Sequence, residues 1–176
     1  KGVDVSFHLL VDLKEKIMWF YYLNQASGER LLLRTYPVGL GREDSTSSSG
    51  YLTPTGKYSL GDRTAIYKPG VKGIFRSKPV EMIRVFGTRW IPFEKEISNC
   101  SAPAKGFGIH GAPWEVKSGK LEEDIRSIQY YESDGCIRLE KKDIEELFAI
   151  IITKPTTIEI VPNFSLAQLP GEEIVL

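Results

Sequence analysis

The sequence is poor in the residues from which many sites are built. Its 176 residues include only two cysteines and two histidines. Two cysteines close at most one bridge, so no disulfide framework is expected, and no C-x-x-C or Cys/His cluster has zinc spacing. Neither a metal nor a cofactor is expected. Surplus charge is also lacking: 23 Lys+Arg balance 23 Asp+Glu. That argues against duplex nucleic acid as a partner, since phosphate binding demands a basic face. Long hydrophobic runs are missing, because the longest apolar clusters, Ile17–Leu23 and Phe148–Ile152, fall far short of the roughly 20 residues of a membrane span. No charged-then-apolar leader precedes the first strand. A trimmed or mature chain reads the same way, so this does not point to the cytoplasm. What is present suffices for a core: 41% of residues are hydrophobic and 11% aromatic, at a length suited to one domain.

The pattern is mostly β. Val5, Phe7, Leu9 and Val11 alternate with Ser6, His8, Leu10 and Asp12, and the aromatic run Ile17–Leu23 follows a polar link, which together predict a hairpin. A third strand is expected over Leu31–Val38. Residues 42–50 form a polar loop, and Thr53-Pro54-Thr55-Gly56 is a stiff turn into a Lys57–Leu60 strand. Residues 61–80 read as loop-rich, Met82–Phe86 and Trp90–Phe93 as short strands, Asn99–Lys105 as loop, and Phe107–His110 as a strand end. Residues 112–132 are polar and charged. Ile144, Leu147, Phe148 and Ile151 fall at i, i+3, i+4 and i+7, predicting a helix over about 140–153 that Pro155 ends. Thr156–Val161 returns as a strand, and 162–176 is a tail with little pattern.

Few residues are placed to do chemistry. Cys136 lies in Ser133-Asp134-Gly135-Cys136-Ile137-Arg138-Leu139. A thiol becomes a nucleophile as thiolate, which needs a base or positive field nearby. The preceding glycine lets backbone N–H groups approach an oxyanion, and Arg138 could orient a substrate carboxylate. The bland alternative is an inert cysteine at a strand end followed by a surface arginine. His110, between Ile109 and Gly111, could take a proton from a thiol or be a satisfied core histidine. His8, inside a strand, and Cys100, in a polar loop, read as structural. Pro113 and Trp114 are either a rigid pocket wall or simple packing. The charged stretch 115–146 is either a solvated face or a lid that favours a substrate carrying an amine.

Taken together these residues resemble the L,D-transpeptidase catalytic domain family (YkuD-type), whose signature is His-Gly, a spacer, then Ser/Thr-His-Gly-Cys, an apolar residue and often Arg. Ile109-His110-Gly111 and Ser133–Leu139 match it in order. Thr35-Tyr36-Pro37-Val38-Gly39-Leu40-Gly41 is similar to the family's strand ending in a glycine turn, and Thr53-Pro54-Thr55-Gly56-Lys57-Tyr58 to its T-P-x-G-x-Y element. Val11-Asp12-Leu13 and the aromatic strand after it resemble the first hairpin. The chain departs from the pattern twice. The 22-residue spacer between His110 and Ser133 is long for the family, which implies an enlarged loop or lid at 112–132. Asp134 stands where His or Arg is common, so it is expected to point away from the sulfur or to pair with a cation such as Arg138.

The resemblance implies a β-sandwich-like catalytic domain over 1–161, one helix on its C-terminal side, and a tail at 162–176. It implies Cys136 as nucleophile, His110 as base, and the Gly111 carbonyl as the group that orients the imidazole. Gly135 and Asp134, with the Cys136 N–H, would form the oxyanion hole, while Ser133, Arg138 and Trp114 would meet substrate. The substrate implied is a peptidoglycan stem tetrapeptide, acted on in the periplasm or elsewhere in the cell envelope or outside it by a monomer. An amine acceptor would give 3→3 crosslinks or protein–wall links, and water would give L,D-carboxypeptidase activity. A wall-binding module with a decayed site remains open, as does an unrelated papain-like hydrolase, although that would want a helix-borne cysteine.

Overall fold

The computed structural model describes residues 4–167. The chain opens with an antiparallel meander, β1 (Val5–Asp12), β2 (Ile17–Asn24) and β3 (Glu29–Pro37), followed by the two-residue β4 (Leu40–Gly41). Next come β5 (Gly56–Leu60), β6 (Ala65–Ile66), and the hairpin of β7 (Lys72–Phe75) and β8 (Lys78–Glu81). A single helical turn, α1 (Ile83–Phe86), leads into the long β9 (Arg89–Ser98) and then β10 (Gly108–Gly111). A second hairpin, β11 (Trp114–Lys117) and β12 (Lys120–Glu123), precedes β13 (Tyr131–Ser133) and β14 (Ile137–Leu139). Helix α2 (Lys141–Ile151) and β15 (Thr156–Val161) follow, and a 3-10 turn covers Phe164–Leu166.

The main sheet runs β14-β10-β9-β5-β15-β1-β2-β3, with β6 added along β9. The fold is therefore mostly β, a curled sheet with one main helix, as the sequence implies. Phe7, Leu9 and Val11 of β1 face the core with Met18 and Phe20 of β2 and Ile158 and Ile160 of β15. The alternate residues Leu10, Trp19, Tyr21 and Val161 form a smaller cluster on the opposite face, where Phe164 packs against Trp19 at a ring separation of 4.9 Å. Burial on both faces explains why Ile17–Leu23 reads as a continuous apolar run rather than an alternation. His8 sits in that sheet, with Nδ1 2.7 Å from the Thr157 hydroxyl, and burial lowers its pKa to about 4. It is a strand residue, as expected. So is Cys100 a structural residue: its thiol donates to the Lys57 carbonyl at 3.1 Å.

Three segments depart from the sequence reading. Met82–Phe86 is not a strand: Met82 caps a helical turn and Val85 N–H donates to the Met82 carbonyl at 3.0 Å. Residues 61–80 are not simply loop, since Lys72–Glu81 folds as a hairpin turned by Arg76 and Ser77 at φ 51° and 65°, the signature of a type I′ turn. Residues 112–132 also contain a hairpin, turned at Ser118-Gly119. The stiff turn before β5 is as read, and Gly56 is obligatory in it. At φ +123° a Cβ there would lie 2.5 Å from the Cys100 Cα, a backbone clash no rotamer relieves. No helix among the described residues is long and apolar enough to cross a membrane.

Helix α2 buries Ile144, Leu147, Phe148 and Ile151 in the main core, one face of a 3.6-residue period. Its outer side is tied to β3, where the Tyr36 hydroxyl donates to Glu146 at 2.7 Å. Leu147 is fully buried. Leu147→Ala is therefore expected to destabilise the fold by about 2–5 kcal/mol, from lost transfer energy and the cavity left behind, measured by chemical denaturation at unchanged m-value.

Candidate active site

Two short parallel strands bring the sequence-predicted pair together. β10 and β14 align Ile109 with Ile137 and His110 with Arg138. Ile109 and Ile137 are fully buried in the core. Strand alternation then turns His110 and Arg138 to the other face, and Cys136, just before β14, falls on that face as well. His110, Cys136 and Arg138 line one cleft of about 540 Å³. The meeting of residues 26 positions apart follows from this register alone.

The turn that carries the thiol is built by hydroxyls. Gly135 has φ +127°, and a Cβ there would lie 2.6 Å from the Phe107 ring and 2.9 Å from the Leu52 carbonyl. Only glycine fits. Its carbonyl accepts from the Thr53 hydroxyl at 2.9 Å, while Thr53 Oγ1 accepts from Gly41 N–H at 2.8 Å. Thr53, read from sequence only as part of a turn motif, is thus the buried clamp on the nucleophile loop. Ser133 clips the same loop from inside: its hydroxyl donates to the Cys136 carbonyl at 2.7 Å and accepts from Gly135 N–H at 3.2 Å. Ser133 is buried and its hydrogen bonds are spent within the turn. The Gly135 N–H is likewise engaged before any substrate arrives.

His110 is 3% exposed. Its Nδ1 lies 2.6 Å from the Gly111 carbonyl. A carbonyl only accepts, so Nδ1 carries the proton and Nε2 holds the lone pair. Phe86 meets the ring edge-on at 5.2 Å and Trp90 lies 6.2 Å away. This burial outweighs the Gly111 bond and pulls the imidazole pKa down to about 3. The Cys136 thiol donates to the Gly106 carbonyl at 3.7 Å. Burial pushes its pKa up to about 11, against the opposing pull of the Gly108 N–H and of Arg138 and Arg76. Burial thus disfavours the charged form of both groups, the imidazolium and the thiolate.

Asp134 pairs with cations, as expected, but with others than the one suggested. It does not pair with Arg138: one carboxylate oxygen accepts from Arg42 Nη1 and the other from Arg76 Nη2 at 2.5 Å. These two guanidiniums hold its carboxyl below the usual range. Arg138 is freed by that arrangement. Its Nε is buried without a partner, and burial lowers its pKa. Trp114 also departs from expectation. Pro113 lines the cleft, whereas Trp114 opens β11, pairs with Glu123, and has its indole N–H buried without a partner. Phe75, Arg76, Arg84, Phe86 and Trp90 complete the cleft wall. They come from 75–90, which reads from sequence as loop and short strands and not as a pocket wall.

The enlarged 112–132 segment forms a second chamber of about 300 Å³ beyond Arg138, lined by Glu115, Asp124, Arg126 and Glu132. Arg126 braces it, donating from Nε and Nη2 to Asp124 and from Nη2 to Glu115, which holds the Asp124 carboxyl well below its usual range. Arg138 lines both chambers. Among the described residues, no three His, Cys, Asp or Glu side chains are grouped to hold a metal ion.

Two solved structures share the fold. Bd1075 of Bdellovibrio bacteriovorus superposes with a TM-score of 0.57 at 17% identity, covering 89% of this chain and 48% of that one. The helical cell shape determining protein Pgp2 of Campylobacter jejuni gives 0.56 at 18% identity, covering 91% of this chain and 49% of that one. The chain thus spans about half the length of these structures. No curated protein matches it. The L,D-transpeptidase catalytic domain model (YkuD) matches residues 6–160, a span that includes the thiol loop, the imidazole and the strands that align them: the chain belongs to the L,D-transpeptidase catalytic domain family.

Proposed function

We propose that the chain is a cysteine-dependent peptidoglycan L,D-transpeptidase that acts on stem tetrapeptides in the cell envelope, with residues 1–161 as a monomeric catalytic unit and 162–176 leading out of it. The single observation that carries this is the 2.6 Å contact of His110 Nδ1 with the Gly111 carbonyl. It leaves Nε2 as a base in the cleft that Cys136 lines, and it needs no acidic side chain as orienter.

In this mechanism Nε2 takes the Cys136 proton as Sγ attacks the carbonyl of the third stem residue. Of the N–H groups of the Asp134-Gly135-Cys136 turn, that of Cys136 stabilises the oxyanion, since that of Gly135 is held by the Ser133 hydroxyl. The imidazolium then protonates the departing D-Ala amine, and an acyl-thioester remains on Cys136. Arg138, a cation whose buried Nε lacks a partner, receives a substrate carboxylate and so regains the pairing that burial denies it. An acceptor amine then loses its proton to Nε2, attacks the thioester and releases the 3→3 crosslink or the protein–wall link. Pgp2 determines helical cell shape, and a role in cell shape is one this chain would share through the same chemistry.

Incubation with purified disaccharide-tetrapeptide, read by mass spectrometry, tests this. A dimer lighter by one Ala is expected. Loss of Ala without dimer makes the enzyme an L,D-carboxypeptidase, and no change under reducing conditions leaves a wall-binding module. Cys136→Ala should remove all product, and His110→Gln should lower turnover by about 10²–10⁴-fold, the usual range for a lost general base.

The neutral resting pair has its own signature. The Cys136 thiol is pushed up to about 11 and the imidazole down to about 3, so little thiolate exists at neutral pH. The rate of Cys136 alkylation by iodoacetamide should climb about tenfold per pH unit from about pH 7 to 9, tracking the thiolate fraction. A flat profile over that range would mean a preformed thiolate–imidazolium pair instead.

A further inference from the structure

Asp134 does something no part of the acyl-transfer chemistry requires. It stands two residues before Cys136 and binds two arginines from separate parts of the chain, Arg42 after β4 and Arg76 at the tip of the β7–β8 hairpin. The two differ in how firmly they are otherwise held. Arg42 is built into the nucleophile loop: its N–H donates to the Ser133 carbonyl at 2.9 Å and its carbonyl accepts from Leu52 at 2.8 Å. The hairpin bearing Arg76 pairs only with itself among the described strands, and an isolated two-stranded hairpin is marginally stable in water.

At its tip the hairpin reaches the rest of the molecule through two contacts. One is the ion pair of Arg76 with Asp134. The other is Phe75, which lies under the Arg76 guanidinium at 5.0 Å and meets Phe86 edge-on at 5.4 Å. Phe86 in turn packs on His110. The hairpin therefore closes a ring around the cleft, from the thiol turn through Arg76 and Phe75 to the imidazole. The I′ turn at Arg76 and Ser77 fixes the direction of that tip.

We propose that Asp134 is a positioning residue that latches the β7–β8 hairpin across the cleft mouth and thereby sets the size of acyl donor that reaches Cys136. The inference rests on the reading of this cleft as the acyl-transfer site. A solvent-exposed ion pair suits a latch, because it is weak enough to open and is screened by salt. The two-arginine arrangement also accounts for the acidic residue in this position: Arg42 anchors the carboxylate, and Arg76 is what it holds.

The test compares the rates at which Cys136 in the folded chain is modified by iodoacetamide and by a maleimide carried on a bulky neutral polymer, with the site read by peptide mass mapping. Asp134→Asn and Arg76→Gln should each raise the bulky-to-small rate ratio by about 2–5-fold, the range of a lost exposed ion pair. The double variant should go no further, since both remove one interaction, and Asp134→Glu should restore most of the wild-type ratio. Salt near 1 M should raise the wild-type ratio and leave that of Asp134→Asn unchanged. If Asp134 acted only on the thiol's charge, both reagents would speed or slow together and the ratio would stay fixed. That result, or an Arg76→Gln ratio equal to wild type, overturns the latch. Arg76→Gln changes an exposed side chain at the hairpin tip and leaves the thiol loop's own sequence intact, so it reports even if Asp134→Asn folds poorly. Because the readout is alkylation, a failure to process tetrapeptide would sink the acyl-transfer reading while leaving the latch to stand or fall separately.

Discussion

Everything at the site depends on the pairing of β10 with β14. These strands are four and three residues long, at the end of the main sheet, and their register is set by two buried isoleucines. A slip of one residue would turn Ile109 and Ile137 out of the core and His110 into it. Keeping both isoleucines inward therefore keeps the imidazole and the thiol on the same face. The cost of misregister is hydrophobic and large, while the chemistry needs only its consequence. This is why a pair so distant in sequence is held without a side-chain bond between the strands.

The local devices that complete the site are backbone-directed. Thr53 and Ser133 hold the thiol turn through the Gly135 and Cys136 peptide groups, and Gly111 orients the imidazole through its carbonyl. Backbone partners have fixed positions, so little conformational freedom is left to lose when substrate binds. The side chains around them act mainly by excluding water. Phe86 and Trp90 beside His110 keep the base neutral, and burial keeps the thiol protonated. Both effects disfavour the charged forms of the imidazole and the thiol in a cleft whose rim carries Arg76, Arg84 and Arg138.

Much of this was legible in the sequence, for identifiable reasons. The meander and α2 follow from period-2 and 3.6-residue patterns that tertiary contacts reinforce. Gly135-Cys136 and His110-Gly111 stand out because the chain has so few cysteines and histidines. The hairpins at 72–81 and 114–123 were harder. Each is short, largely exposed and turned by residues such as Arg76 and Ser77 that carry no strong turn signal. The turn type there is imposed by strand pairing, not by local propensity. Met82–Phe86 has the apolar composition of a strand but adopts a helical turn that buries Ile83. Trp114, which the sequence left open between pocket wall and packing, opens the second hairpin opposite Glu123.

The arginine partners of Asp134 lay beyond sequence reasoning for a different reason. An acid beside a nucleophilic thiol raises the cost of forming thiolate, so the sequence suggests a nearby cation, and Arg138 is the obvious one. The fold supplies two others: Arg42, which follows the Gly41 that pairs with Ser133, and Arg76, at the tip of a hairpin that pairs with no other described strand. Their effect is to neutralise Asp134 while leaving Arg138 unpaired between the two chambers. Had Asp134 taken Arg138, the one half-buried cation that lines both chambers among the described residues would be spent on an internal contact. Assigning the acid to exposed arginines keeps the shielded guanidinium for an anionic ligand, where desolvation makes each hydrogen bond count for more.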